Sequence, residues 1–263
     1  MSGSGLELTF LGPGTSFGIP VVGCRCPVCT SDDPRDRRGR HGVALTLPQG
    51  TLLVDTPPEL RLLLLQAGVE QVDAVWFTHL HADHVHGIDD LRIFSLRTGR
   101  TLPAFVPAEC EDELRVRFRY IFDESHWLAP GTSIPDIDLT PFGTEPISSL
   151  GADITPLPVP PGGLTVYGLR VGGLGYVTDG KRLPDEVMAS LEGVDTLVLN
   201  ALWWGDPHPS HFNIEEAIEV AQVVGARRTF ITHLTHRVRH EELLRELPAG
   251  IEPAYDGLSV EVP

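Results

Sequence analysis

Between Phe77 and Gly87 the chain reads FTHLHADHVHG, four histidines and an aspartate in one short stretch. Imidazole binds Zn, Mn, Fe and Ni, and a carboxylate in the set adds charge and some preference for harder ions. His79 and His81 are two residues apart, which in extended chain turns both rings to the same face. Asp83 and His84 follow where the chain would turn into a helix and can address a second group of ligands. The alternative is a polar loop of solvated histidines. A second cluster, GCRCPVCT, carries Cys24, Cys26 and Cys29. Three thiolates with one further ligand close a tetrahedral zinc site. A Cys-x-x-Cys pair alone could be a redox couple, but three cysteines favour metal. Cys110, in a charged, helix-like segment, has no part in this cluster.

These residues need a scaffold. Strand-like runs recur at 6–12, 43–47, 51–56, 73–78, 152–159, 164–171, 174–179, 196–201 and 228–233. The run DAVWFT delivers His79 from a strand's C-terminal end. Between the strands lie helical patterns. In 213–225 the residues Ile214, Ala217, Ile218, Ala221 and Val224 form one apolar stripe, and Asn213 with Glu216 reads as a capping pair. The segment 58–68 opens with Pro and closes with Gly, as helices do, and 86–97, 109–121, 184–192 and 239–247 are weaker helical candidates. Strands mixed with helices along the whole length predict one sheet-based α/β or α+β domain over 1–263. The Pro- and Gly-rich stretch 129–163 reads as long loops within it.

His79-x-His81-x-Asp83-His84 resembles the signature of the metallo-β-lactamase superfamily, an αββα sandwich with a two-metal site at one edge. TFLGPGTSFGIP resembles its glycine-rich opening. The resemblance implies that Asp55 in LLVDTPPE is the buried aspartate supporting the histidine loop, that Asp179 in YVTDG bridges two ions, and that His233 in FITHLTH is the last ligand. One ion would take His79 and His81, the other Asp83, His84 and His233. Taken singly, Asp55 and Asp179 could be turn residues at strand ends. The cysteine cluster resembles the PhnP branch of phosphodiesterases, which implies His236 as the fourth ligand of a structural zinc and His211 as the acid that assists the leaving group. A hydrogen-bonded residue at a helix start is the other reading of His211. The family supplies one more histidine near position 161, where this chain has Pro161, whose ring offers no lone pair. Either the first ion is bound weakly, or His208 or His126 substitutes, or the protein is a one-metal or inactive relative.

The resemblance therefore implies two divalent metals, Mn or Zn, at a hydrolytic centre. There a shared water is ionised, its position fixed by Asp83 and Asp179, and it attacks a small anionic phosphodiester such as a cyclic sugar phosphate. Hydrolysis of another ester, thioester or lactam, or a non-catalytic zinc-binding accessory role, are the alternatives. The net charge of −16 disfavours nucleic acid and anionic membranes as partners. No secretory leader or spanning segment is evident, so a cytoplasmic protein, alone or as a homodimer, is expected. The basic run 33–40 offers Arg38 or Arg40 to a substrate phosphate, or is simply solvated. His41, His86, His126 and His240 are expected at the surface or behind the ligands.

Overall fold

The computed structural model describes residues 5–123, 131–160 and 165–263. One mixed sheet runs β14 (Ser259–Val262), β1 (Leu6–Gly12), β2 (Gly42–Leu47), β3 (Gly50–Val54), β4 (Ala74–Trp76), β5 (Leu102–Pro107) and β6 (Ile137–Phe142). The other runs β13 (Ile251–Pro253), β12 (Arg228–Thr232), β11 (Thr196–Asn200), β10 (Leu174–Val177), β9 (Val166–Val171), β8 (Ala152–Val159) and β7 (Ile147–Ser149). Strands β3 to β6 are parallel, as are β10 to β13, and the remaining neighbours are antiparallel. The stretch expected to be loops contains β6 and β7 besides β8, whose bounds are those of the strand-like run at 152–159.

The apolar pattern explains the layering. β4 is buried on both faces, as a central parallel strand must be. Trp76 stacks on Phe142 at 4.1 Å and Phe10 meets Phe230 of the opposite sheet at 5.6 Å, so these rings fill the space between the sheets. Helices α1 (Leu60–Ala67), α2 (Ala82–Val85), α3 (Arg92–Thr98), α4 (Glu111–Arg117) and α5 (Arg119–Phe122) are followed, after β10, by α6 (Asp185–Ser190), α7 (Ile214–Val224) and α8 (His240–Glu246). Leu60, Leu63, Leu91, Phe94 and Leu114 pack onto the outer face of the first sheet. Val187, Ile214, Ala217, Ala221 and Leu243 do the same on the second. The architecture is the expected αββα sandwich. α7 opens with the expected capping box: Asn213 Oδ1 accepts from the Glu216 backbone N–H at 2.8 Å, and Glu216 accepts from that of Asn213 at 2.9 Å.

Candidate metal centres

The parallel strands of both sheets end at one edge, and four of them release a candidate site residue there. Asp55 follows β3, His79 lies just beyond β4, Asp179 beyond β10 and His233 directly after β12. Three of these residues turn the chain sharply: Asp55, Asp179 and His233 have φ of 63°, 53° and 59°. That left-handed region is unfavourable for residues with a Cβ and is held here by surrounding structure.

Asp179 is the hub. Its Oδ2 lies 3.5 Å from His79 Nε2, 3.4 Å from His84 Nε2 and 3.5 Å from His211 Nε2, while Oδ1 lies 3.3 Å from His233 Nε2. Asp83 Oδ2 is 3.4 Å from the same His84 nitrogen. These separations are long for hydrogen bonds. They match the spacing of about 3.4 Å between donors that share one ion at about 2.1 Å in tetrahedral geometry. The nitrogens His84 Nε2 and His233 Nε2 are buried without a hydrogen-bond partner, a costly state unless a cation is bound beside them, and His211 Nε2 is likewise buried and unpartnered. His81 behaves differently: it is exposed, and its Nδ1 approaches His79 Nε2 to 2.8 Å. Two imidazoles on one ion need about 3.3 Å, so this pair must open slightly to share a metal.

The supporting contacts set which nitrogen faces the edge. Asp55, fully buried, accepts from Thr78 N at 2.8 Å and Thr78 Oγ1 at 2.8 Å, and pairs with His84 Nδ1 at 2.7 Å. Thr78 Oγ1, having donated to Asp55, accepts from His79 Nδ1 at 3.0 Å. Both rings are thereby left with Nε2 toward Asp179, the usual arrangement behind a metal-binding histidine. Thr78, which nothing in the sequence pattern singles out, is the link between them. His41, expected near the surface or behind the ligands, is buried behind them: its Nδ1 lies 3.2 Å from Thr232 Oγ1 and its Nε2 contacts the Tyr176 hydroxyl.

The electrostatics call for added positive charge. Burial disfavours the charged His84 ring, yet Asp179 and Asp55 outweigh it and hold the ring well above its ordinary range. Burial pushes His79 well below that range and His233 down to about 4. Asp179, despite its burial, is held well below the carboxylate range by His233 and His84. A proton on His84 thus stands where a cation would be favoured, and the donors fit a binuclear centre.

His211 reaches this edge from the loop before α7. Its ring stacks on His233 at 4.9 Å, and its Nδ1 lies 2.9 Å from Ser210 Oγ and 3.3 Å from His208 Nδ1. Position 161, where a further histidine is expected, and His126 lie outside the described residues.

At the zinc cluster, Sγ of Cys24, Cys26 and Cys29 lie 3.3, 3.5 and 3.6 Å from His236 Nδ1. Thiolate and imidazole on a tetrahedral zinc are separated by about 3.6 Å, so this Cys3His group fits a closed structural zinc. The Cys29 backbone N–H lowers the Cys26 thiol to about 6, while burial pushes Cys29 up to about 11.

Two expectations for basic and histidine residues are corrected. Arg38 is fully buried and donates to the carbonyls of Thr235 at 2.8 Å and Val238 at 2.9 Å, clamping the loop that carries His233 and His236. Arg40 pairs with Glu59 at 2.6 Å. His240 is buried, its backbone N–H donating to Asp36, because α8 packs over the first loop.

Residues 51–234 match the family described as beta-lactamase superfamily domain. The chain belongs to the metallo-β-lactamase superfamily. A solved diphosphatase of the PhnP family is 38% identical, covers 98% of each chain and superposes with a TM-score of 0.89. The ribonuclease Z of Acaryochloris marina is 25% identical over 98% of both chains. The octanoyltransferase of Porphyromonas gingivalis is 35% identical over 96% of this chain, which spans only 51% of that protein's length.

Proposed function

We propose that this protein is a metal-dependent hydrolase of a small phosphodiester or diphosphate. The observation that carries the reading is Asp179 with four histidine nitrogens at 3.3–3.5 Å around its carboxylate. The likeness to a PhnP-family diphosphatase at 38% identity supports the substrate class. His79 and His81 would hold one ion, Asp83, His84 and His233 the other, and Asp179 both; Cys24, Cys26, Cys29 and His236 would hold structural zinc. When bound, such a pair of ions favours ionised water near neutral pH and neutralises phosphoryl oxygens.

The chain's own groups do the rest. Asp83, ionised beside His84, accepts a hydrogen bond from the attacking water and sets its line of approach. The P–O bond to the leaving group breaks, and the departing oxygen needs a proton. His211 supplies it from Nε2, while Ser210 Oγ at Nδ1 keeps the ring turned to the edge. Asp55 and Thr78 hold His84 and His79 in register throughout. The net charge of −16 opposes a polyanionic substrate such as tRNA.

A second reading, hydrolysis of a carboxylic ester or thioester, is favoured by the octanoyltransferase relative, although the chain matches about half of it. Both are tested by elemental analysis of the protein equilibrated with Mn, followed by turnover of bis(p-nitrophenyl) phosphate and of an octanoyl thioester. The expected result is about three ions per chain, diester cleavage, and its loss in His233→Ala. Thioester cleavage alone would select the second reading, and one zinc with no turnover would remove both.

A further inference from the structure

Of the twenty Lys and Arg residues in the chain, Lys181 is the one lysine. It stands two residues beyond Asp179, so its Cα lies within about 7 Å of that of the hub residue. The turn between them is pinned from both sides: Gly180 N–H donates to Asn200 Oδ1 at 2.8 Å, and Gly180 O accepts from Asn200 Nδ2 at 3.0 Å. The ammonium is then braced by Glu216, whose two oxygens each accept from Nζ at 2.5 Å. Glu216 is in turn fixed by the capping box at Asn213, two residues past His211. Lys181 is therefore held between the Asp179 turn and the loop that bears His211, with a quarter of its side chain open to solvent. Its charge is felt at His208, which, with burial and His211, it depresses.

Everywhere else in the described residues a carboxylate that pairs with a non-histidine base pairs with arginine, as in Arg35–Asp33, Arg40–Glu59 and Arg227–Asp195. A two-oxygen grip is the task for which the guanidinium fork is suited. If Lys181 served only to fasten Glu216, this arginine-rich chain would have had the better fastener at hand. Lysine offers instead a compact charge with three donors. Two are taken by Glu216, and the third has no partner among the described residues.

We infer that Lys181 is a substrate-recognition residue: its third ammonium N–H binds a second, non-reacting phosphoryl group of the substrate, with Glu216 as its positioning residue. The inference rests on the phosphodiester reading above and sharpens it. The preferred substrate carries a second phosphate beside the scissile bond, as a diphosphate or a phosphorylated diester does.

The test uses the metal-loaded protein and two aryl diesters, bis(p-nitrophenyl) phosphate and the p-nitrophenyl phosphodiester of ethylene glycol monophosphate. Only the latter has the extra phosphate. Lys181→Gln is expected to raise KM for that substrate by about tenfold or more, the scale of a charge-assisted hydrogen bond, with kcat little changed and the bis-aryl ester unaffected. Equal changes for both substrates, or none, would overturn it; an unchanged Tm and zinc content show that the variant is folded. Because the chain has one side-chain amine, a second arm needs no turnover. Acetylation of Lys181, read by mass spectrometry on the wild-type protein, should slow when pyrophosphate is added. No protection by pyrophosphate would overturn the inference even if diesters are hydrolysed. Protection without any diester hydrolysis would keep the anion site and refute the reaction.

Discussion

Asp55 touches no position where a substrate could sit, yet it gathers three contacts from the histidine loop: Thr78 N, Thr78 Oγ1 and His84 Nδ1. In Asp55→Asn one acceptor becomes a donor aimed at another donor, inside a fully buried site. The expected outcome is a 10–100-fold loss of affinity at the catalytic edge, about the cost of removing a partner behind a metal-binding histidine. Titration with Mn, following the ions that remain exchangeable beside the zinc, measures it; affinity equal to wild type would remove Asp55 from this role. Single residues also mark where the sequence was legible. HLHADH, the cysteines and THLTH announce themselves because rare side chains are crowded at short spacing. Thr78, Ser210 and Arg38 do not, since a threonine, a serine and an arginine in a basic run are ordinary until the fold brings their partners from 23 to 200 residues away or, for Ser210, turns it toward the ring beside it.

Among the elements, α1 and the turn after α2 meet at Gly87. Its N–H donates to Thr56 O at 2.8 Å, and a Cβ there would lie 2.1 Å from Pro57 O and 2.9 Å from Leu60 Cβ. Gly87→Ala must therefore push α1 away from the histidine loop. The expected cost is about 1–3 kcal/mol, seen as a Tm lower by several degrees, together with weaker catalytic metal binding; a variant as stable as wild type would mean the two segments are not in this contact. Elements also show why part of the fold stayed hidden. Most interior strands read as apolar runs in the sequence, because both their faces are covered; β5 is the exception, its run LPAFVP being interrupted by two prolines. The other strands that the sequence does not reveal, β6, β7, β13 and β14, are the four edges of the two sheets. Edge strands are short, partly exposed and tolerant of proline, as in IDLTPF, so they carry no continuous apolar signal. Helices 86–97 and 109–121 were placed correctly, but each is divided into shorter turns.

For the molecule as a whole, the Cys3His cluster and the edge built around Asp179 share one loop: His233 and His236 are three residues apart, and Arg38 donates to the Thr235 and Val238 carbonyls of that loop. The N-terminal loop is tied to it again where Leu234 N–H donates to Pro13 O at 2.8 Å. Cys26→Ser should lose the structural zinc and, through this loop, weaken the second catalytic ion as well. Elemental analysis at fixed free metal would show the loss of more than one ion per chain, whereas full catalytic occupancy without zinc would show that the centres are independent. The left-handed backbone at Asp55, Asp179 and His233 has a consequence for how the protein can change. Each such position costs on the order of 1–3 kcal/mol that a glycine would relieve, yet glycine brings no carboxylate or imidazole. Improvement of heat tolerance and preservation of chemistry therefore pull in opposite directions at these three sites. A laboratory lineage selected for thermal survival alone would drift toward a sturdier scaffold whose edge no longer gathers metal.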